Sequence, residues 1–124
     1  MKIFKLLFIN SLLIFLMSCS SNKIENYANN QPKLDIRNYL NGKIKAWGIL
    51  EDRSGNITRR FEVDMTGTWI KNEGILEEYF VFDDGKKESR TWKIKFNDEK
   101  NFTASAGDVV GIATGKQIGN AMQM

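Results

Sequence analysis

From residue 42 onward, apolar and polar residues alternate in short runs that are separated by glycine-bearing turns. In one of these runs Phe61, Val63 and Met65 are separated by single acidic residues. A period of two is typical of a β-strand with one buried face, and the chain shows no convincing amphipathic helical period. The pattern therefore predicts an all-β domain of short strands.

The runs define six strands and the beginning of a seventh. They cover about 43–51, 57–70, 75–82, 87–96, 101–106 and 109–114, and the seventh begins within 118–124. Because the turns are short, consecutive strands are expected to pair antiparallel as an up-and-down meander. A β-sandwich is an alternative, but consecutive hairpins favour a sheet that curls toward a barrel. Before the sheet, a short turn or helix at 34–40 is expected to dock its three apolar residues on the domain, namely Leu34, Ile36 and Leu40.

The hairpin around the Asp-Asp-Gly loop at 83–85 can be placed in register from the sequence. If the glycine takes the left-handed conformation of a three-residue loop, Glu78 lies opposite Arg90. The same register places Leu76 opposite Trp92. One acid and one base then lie within a face that is otherwise aromatic and aliphatic.

We interpret this face as the inner surface of a cup. The Glu78–Arg90 pair within it is either a charged spot that holds a ligand headgroup or a structural ion pair on a partly exposed face, since buried pairs are costly. The candidate ligand-contacting or inner-face residues are Glu78, Arg90, Trp92, Phe80, Trp69 and Trp47.

The residue inventory excludes most catalytic and metal chemistry. The 124-residue chain has no histidine and one cysteine, which excludes a histidine-based triad, an internal disulfide and a cysteine-built zinc site. The segment 111–117 is one residue short of a phosphate-binding loop and lacks its Ser or Thr. We therefore predict no catalytic residue, no metal site and no cofactor. A lipid-modifying enzyme that uses carboxylate, Lys, Tyr or Ser chemistry is a lesser alternative.

Residues 1–18 are typical of a bacterial lipoprotein signal peptide. Two lysines precede an apolar segment at 6–17, which we expect to be a signal helix because it is too short to span a bilayer. The sequence Leu16-Met17-Ser18-Cys19 resembles a lipobox. In that motif Ser18 is the small residue before the cleavage point, and the thiol of Cys19 receives the diacylglyceryl group.

Removal of the signal peptide changes the charge balance of the chain. Lys2 and Lys5 are lost, so the mature chain has 16 basic and 15 acidic side chains and a net charge of +1. Binding to nucleic acid therefore loses its electrostatic support.

The mature chain is expected to be anchored to the membrane through acylated Cys19, because several acyl chains hold a protein firmly at a bilayer. Ser20 in place of an aspartate favours the outer membrane, with the protein facing the periplasm. Residues 19–37 are predicted to be the acylated cysteine and a flexible tether, because they are polar and have no clear period. Residues 38–124 form the predicted β domain.

A series of short motifs extends through nearly all of the mature chain. The motifs are Gly42 with Ala46 and Gly48, Asp52-Arg53-x-Gly55, Arg60-Phe61, Gly67-Thr68-Trp69, Leu76-Glu77-Glu78 before Phe80, Asp83-Asp84-Gly85, Arg90-x-Trp92, and a glycine- and alanine-bearing run from Asp108 to Ala121. In this order and spacing they resemble an uncharacterised bacterial lipoprotein family, the domain of unknown function 3833. The resemblance implies a lipocalin-like β-barrel and genes that often lie beside fatty-acid-modifying enzymes, such as cyclopropane fatty acyl synthases. It implies no established activity.

The family pattern continues beyond the Gly-Asn-Ala motif at 119–121 with further strands. We therefore expect an incomplete barrel that lacks its last strands and has two unpaired edges.

Two main function hypotheses follow. The first is an outer-membrane lipoprotein whose β-cup binds a lipid or other amphiphile in the cell envelope. The second is a structural or assembly lipoprotein that binds another envelope protein through its sheet edge. The first hypothesis requires that the cup is not filled by the protein's own side chains.

Overall fold

The structure, a computed structural model, describes residues 23–124. It contains one antiparallel sheet of seven strands, preceded by two short helical segments. The helical segments are a 3-10 turn (Ile24–Tyr27) and α1 (Ile36–Tyr39). The strands are β1 (Gly42–Glu51), β2 (Ile57–Ile70), β3 (Glu73–Phe82), β4 (Lys87–Phe96), β5 (Asn101–Ala106), β6 (Ala113–Ile118) and β7 (Ala121–Gln123).

Each strand pairs with the next one along the chain, so the sheet is a meander that curls into a half-barrel. The predicted all-β class and meander are confirmed, and the first five strands begin and end within two residues of the predicted bounds. The sixth differs: residues 107–112 form a turn and a bend, and the strand begins at Ala113. The predicted signal helix lies outside the described residues.

The predicted register of the β3–β4 hairpin is confirmed. Glu78 pairs with Arg90, and Leu76 pairs with Trp92. Gly85 has a φ of 82°, a left-handed conformation that favours glycine, and it closes the predicted three-residue loop. The turn chemistry therefore fixes which residues of the two strands lie opposite each other.

Because side chains alternate along strands, the sheet has two faces. We call the face that carries the apolar core the inner face. On β1 to β5 its larger side chains are Ile44, Leu50, Arg59, Phe61, Val63, Met65, Trp69, Leu76, Glu78, Phe80, Phe82, Glu88, Arg90, Trp92, Ile94, Phe96 and Phe102. The opposite surface is the outer face.

The segment before the sheet covers one end of the inner face. Ile36 in α1 is 2% exposed. Leu34 and Leu40 pack against the same cluster, as the sequence predicts. The buried residues of the cluster around Ile36 are Leu76, Trp92, Ile94, Phe96, Phe102 and Ala104. We call this part of the inner face the filled end.

Hydrogen bonds to the last strands hold this covering segment in place. The backbone N–H of Ile36 donates to Oε1 of Gln117 at 3.0 Å, and Nε2 of Gln117 donates to the carbonyl of Glu99 at 3.0 Å. The backbone N–H of Leu34 donates to the carbonyl of Gly119 at 2.7 Å. Gln117 is buried. Its side-chain amide links the backbone at the start of α1 to the backbone just before β5.

The predicted tether over 19–37 differs from the structure from residue 23 onward. Ile24 is buried, and the carboxylate of Glu25 lies 3.2 Å from the ammonium group of Lys116. The polar composition suggested a free segment, but its contacts are with β6 and β7, far along the chain.

Candidate functional site

α1 covers only one end of the inner face and leaves the other end uncovered. A cavity of about 240 Å³ lies there. It is lined by Leu50, Phe61, Phe80, Phe82, Glu88, Ser89, Arg90 and Asp108. We call this region the open end.

Three phenylalanines from neighbouring strands form the floor of the open end. Phe61 of β2 pairs with Phe82 of β3, and the two ring centroids are 5.8 Å apart. The ring of Phe80 lies 5.4 Å from that of Phe61 and 6.1 Å from that of Phe82. These distances lie in the range of favourable aromatic contacts. The floor is therefore an apolar surface that an acyl chain or a ring can contact.

Arg90 lies at the border between the two ends and is held from several sides. Its Nε donates to the carboxylate of Glu78 at 2.7 Å, and its Nη1 lies 3.7 Å from the carboxylate of Asp108. The guanidinium carbon is 5.3 Å from the ring centroid of Phe80 and 5.2 Å from that of Trp92. The side chain is still 30% exposed. Arg90 is therefore fixed in direction and accessible from the cavity.

A second arginine covers the far side of the floor. The guanidinium carbon of Arg59 lies 3.4 Å from the ring centroid of Phe82. Its Nη groups are 3.3 Å from Asp84 and 3.6 Å from Glu88. Sequence reasoning missed Arg59, although it lies an even number of residues from Phe61 and therefore belongs to the inner face.

Carboxylates outnumber guanidinium groups at the rim of the open end. Arg59 and Arg90 are surrounded by Glu78, Asp84, Glu88 and Asp108. A hydrogen bond from the backbone N–H of Lys86, together with the charge of Arg59, holds the pKa of Asp84 below its ordinary value. These six groups therefore carry more negative than positive charge, and no excess of positive charge is available to select an anion.

Three of the predicted site residues lie together at the open end or at its border, namely Phe80, Glu78 and Arg90. Trp92 adjoins Arg90 but is 9% exposed and belongs to the filled end. Trp69 also packs at the filled end, where its Nε1 donates to the carbonyl of Leu40 at 3.1 Å. The two tryptophans therefore support the core rather than the cavity.

The prediction that Trp47 lies on the inner face is wrong. Trp47 pairs with Glu62 and is 70% exposed on the outer face. Its neighbours Ala46 and Gly48 occupy the inner face opposite Val63 and Phe61. Because two inner residues of β1 are small, the hydrophobicity of the sequence favours the opposite face, which carries Trp47, as the buried one.

Residues 23–124 contain no group of three or more Asp, Glu, Cys or His side chains that could hold a metal ion. The same residues contain no helix that is long and apolar enough to cross a membrane. Ser18 and Cys19, the predicted cleavage and acylation residues, lie outside the described part of the chain.

A family model described as a protein of unknown function (DUF3833) matches residues 13–124. The chain belongs to this family. The match confirms the resemblance that the ordered motifs indicate. No curated protein and no solved structure gives a significant match.

Proposed function

We propose that this protein is a lipid-anchored binding protein of the outer membrane, rather than an enzyme, and that it holds a lipid or other amphiphile at its open end. The observation that carries the proposal is the cavity of about 240 Å³ over the phenylalanine floor, with charged groups at its rim. An apolar floor beside polar groups is the general composition of a small-molecule site.

The size of the cavity limits what it can enclose. Ligand pockets for drug-sized molecules measure roughly 300–1,000 Å³, so a cavity of about 240 Å³ is smaller than a typical one. A whole two-chain lipid does not fit. We therefore expect one apolar part of an amphiphile to rest on the floor while its polar part meets the rim outside.

The place of the N-terminal segment supports a particular orientation at the membrane. Ile24 lies beside Asn101 and Gly115, at the filled end. A span of five residues reaches at most about 18 Å, so an anchor on Cys19 stays close to this end. The ten residues of β3 measure about 33 Å at roughly 3.3 Å per residue. The open end would therefore point away from the anchoring membrane, toward the periplasm.

Quenching of tryptophan fluorescence by a brominated fatty alcohol, which carries no charge, tests the binding proposal. In the full chain with Trp47→Phe and Trp69→Phe, the remaining Trp92 adjoins Arg90 at the cavity. Below its solubility limit, the probe should quench Trp92 in a saturable manner. A folded protein that shows no saturable quenching would contradict the proposal.

Two adjacent residues of β1 provide a matched pair of variants for this assay. Leu50 lines the cavity and is 43% exposed, whereas Ile49 is 49% exposed and faces outward. Leu50→Lys should weaken probe binding roughly tenfold, because it places a charge on an apolar site. Ile49→Lys should leave binding unchanged. Equal effects of the two substitutions would place the probe elsewhere.

The anchor is tested separately by mass spectrometry and envelope fractionation of the full chain. We expect an acylated N-terminal Cys19 and recovery of the protein with outer-membrane material. Cys19→Ser should release the protein from the membrane fraction. An unmodified cysteine in membrane-associated protein would contradict the proposed anchor.

A further inference from the structure

Within residues 23–124, the first strand has one side that pairs with no other strand. β1 pairs with β2 along its ten residues, and no other described strand in 23–124 pairs with it. Such an edge presents a row of backbone N–H and C=O groups that can pair with another strand. Large apolar side chains remain exposed along it, with Trp47 at 70% and Ile49 at 49%. The edge is therefore long enough and apolar enough for another strand to add to it.

The sequence of β1 is complementary to itself in one antiparallel register. If two copies meet at a twofold axis through Trp47, then Lys43 of one copy lies opposite Glu51 of the other. Twofold symmetry repeats this pair, since residue contacts in such an interface are reciprocal. The same register places Ile44 opposite Leu50, also twice. Opposite charges and apolar pairs directly across two strands both favour the pairing.

The ion pairs already present in the sheet favour this register over the two registers in which the axis is shifted by one residue. Lys45 is 3.5 Å from Glu62 and 3.7 Å from Asp64, both on β2. Within residues 23–124, Lys43 and Glu51 form no ion pair of this kind. Moving the axis one residue toward the start of β1 removes both pairings of Lys43 with Glu51. Moving it one residue toward the end replaces them with Lys45 opposite Glu51, although Lys45 already has Glu62 and Asp64 as partners. It also brings Lys43 opposite Arg53, a cation in the turn after β1.

The two faces of the sheet also agree with this arrangement. Trp47 and Lys43 lie on the outer face, whereas Ile44 and Leu50 lie on the inner face. Glu51 follows the same alternation along β1, just beyond a shift in the register with β2 between Leu50 and Glu51. Pairing through β1 therefore continues each face into the same face of the second copy. We propose that the edge of β1 binds a second copy of this chain, antiparallel about Trp47, so that two seven-stranded sheets become one.

Disulfide trapping in the full chain, with Cys19→Ser, tests the register. Residues opposite each other in an antiparallel pair have Cα atoms about 4.5–5.5 Å apart, within the range for a disulfide. Trp47→Cys should form a covalent dimer under mild oxidation. Ile75→Cys, an exposed outer-face residue of β3, should not. Equal trapping at both positions would indicate random collision and overturn the proposal.

A second pair of variants separates this register from any other. Lys45→Cys alone should not link two copies, because Lys45 lies opposite Ile49 of the second copy. Lys45→Cys combined with Ile49→Cys should link them efficiently. Linking by Lys45→Cys alone would overturn the register about Trp47.

Sedimentation analysis of the unlinked chain tests the ion pairs without introducing new thiols. Lys43→Glu and Glu51→Lys should each raise the dimer dissociation constant roughly tenfold, because each creates two like-charge pairs. The double substitution should restore dimerisation. A monomer at all concentrations, or an edge occupied by a different protein, would overturn the proposal. None of Lys43, Trp47 and Glu51 lines the cavity, so fluorescence quenching by the brominated fatty alcohol should persist in all of these variants.

Discussion

The two ends of the inner face are built from the same strands and the same alternating pattern, yet they differ in what lies over them. At the filled end, Ile36 and Phe102 are each 2% exposed because α1 packs on the sheet. At the open end, Phe61 and Phe80 remain only half-buried beside a cavity. A strand pattern therefore creates an apolar face, but a segment outside the sheet decides how much of that face becomes core.

The border between the two ends is chemically distinct. Glu78 and Arg90 form their ion pair there, next to Trp92 of the filled end. A charged pair in the middle of an apolar face limits how far a hydrophobic cover can extend, since burying both charges is costly. The border thus separates a part of the protein that serves stability from a part available for binding.

The largest expected effect comes from truncating one phenylalanine at each end. Phe102→Ala should lower the free energy of unfolding by about 3–5 kcal/mol, as expected for a fully buried phenylalanine. Phe80→Ala should cost less than about 2 kcal/mol, because its ring is already partly in water. Urea unfolding of both variants measures the difference. Equal losses would remove the distinction between the two ends.

A smaller loss is expected from adding one methyl group beneath the covering segment. The carbonyl of Leu40 lies so close over Gly67 that a Cβ would overlap it. Gly67→Ala should therefore displace the cover and lower the free energy of unfolding by roughly 1–3 kcal/mol. Gly107→Ala is the control, because a Cβ there meets nothing within 4 Å. Similar thermal transitions for both variants would show that the contact with Leu40 is dispensable.

Removing the buried amide should have a comparable or slightly smaller effect. Gln117→Met leaves the N–H of Ile36 and the carbonyl of Glu99 without their side-chain partner. The expected cost is about 1–3 kcal/mol. Gln123→Met, at an exposed position of β7, should change stability little. An unchanged melting temperature for Gln117→Met would mean that the cover is held mainly by apolar contacts.

The smallest effect concerns the dependence of stability on pH. A hydrogen bond from Arg37 to Asp35, which caps α1, lowers the pKa of that carboxyl from its ordinary value of 3.8. A carboxyl whose pKa is lowered by folding stabilises the protein above the unfolded-state pKa, and this contribution is lost as pH falls through the folded-state pKa. Asp35→Asn should therefore destabilise the protein slightly at neutral pH and converge with the wild type in acid.

Denaturation curves across this pH range, with Glu77→Gln as an exposed control, measure the convergence. Glu77 lies on the outer face opposite Thr91 and does not contact the cover. If the free energies of unfolding of wild type and Asp35→Asn instead differ by the same amount down to strongly acidic pH, that result would assign the effect to the cap geometry rather than to charge.

The sheet was largely predictable from the sequence because its determinants are local. Period-two alternation gives the strands, and the turn at Gly85 sets the opposition of Glu78 and Arg90. The docking of Ile36 was also predictable, since three apolar residues at 34–40 precede a sheet that has one apolar face.

The remaining features depend on contacts that no local pattern records. Ile24 is buried by β6 and β7, whose positions are known only once the sheet is formed. The face of Trp47 was misjudged because the inner residues of β1 include Ala46 and Gly48, which carry little hydrophobic signal. The division of the inner face into two ends follows from the reach of the cover, which is a property of the packed molecule.

The hydrogen bond between Ile36 and Gln117 joins residues 81 positions apart, and this has a consequence for the order of folding. In a chain that emerges with its N-terminus first, from the ribosome or from an export channel, Ile36 appears 81 residues before Gln117. During that interval the cover exists but has no last strands to hold it. Emerging chains therefore expose both ends of the inner face together. Chaperones that bind apolar surface then meet a larger apolar area than the folded protein exposes.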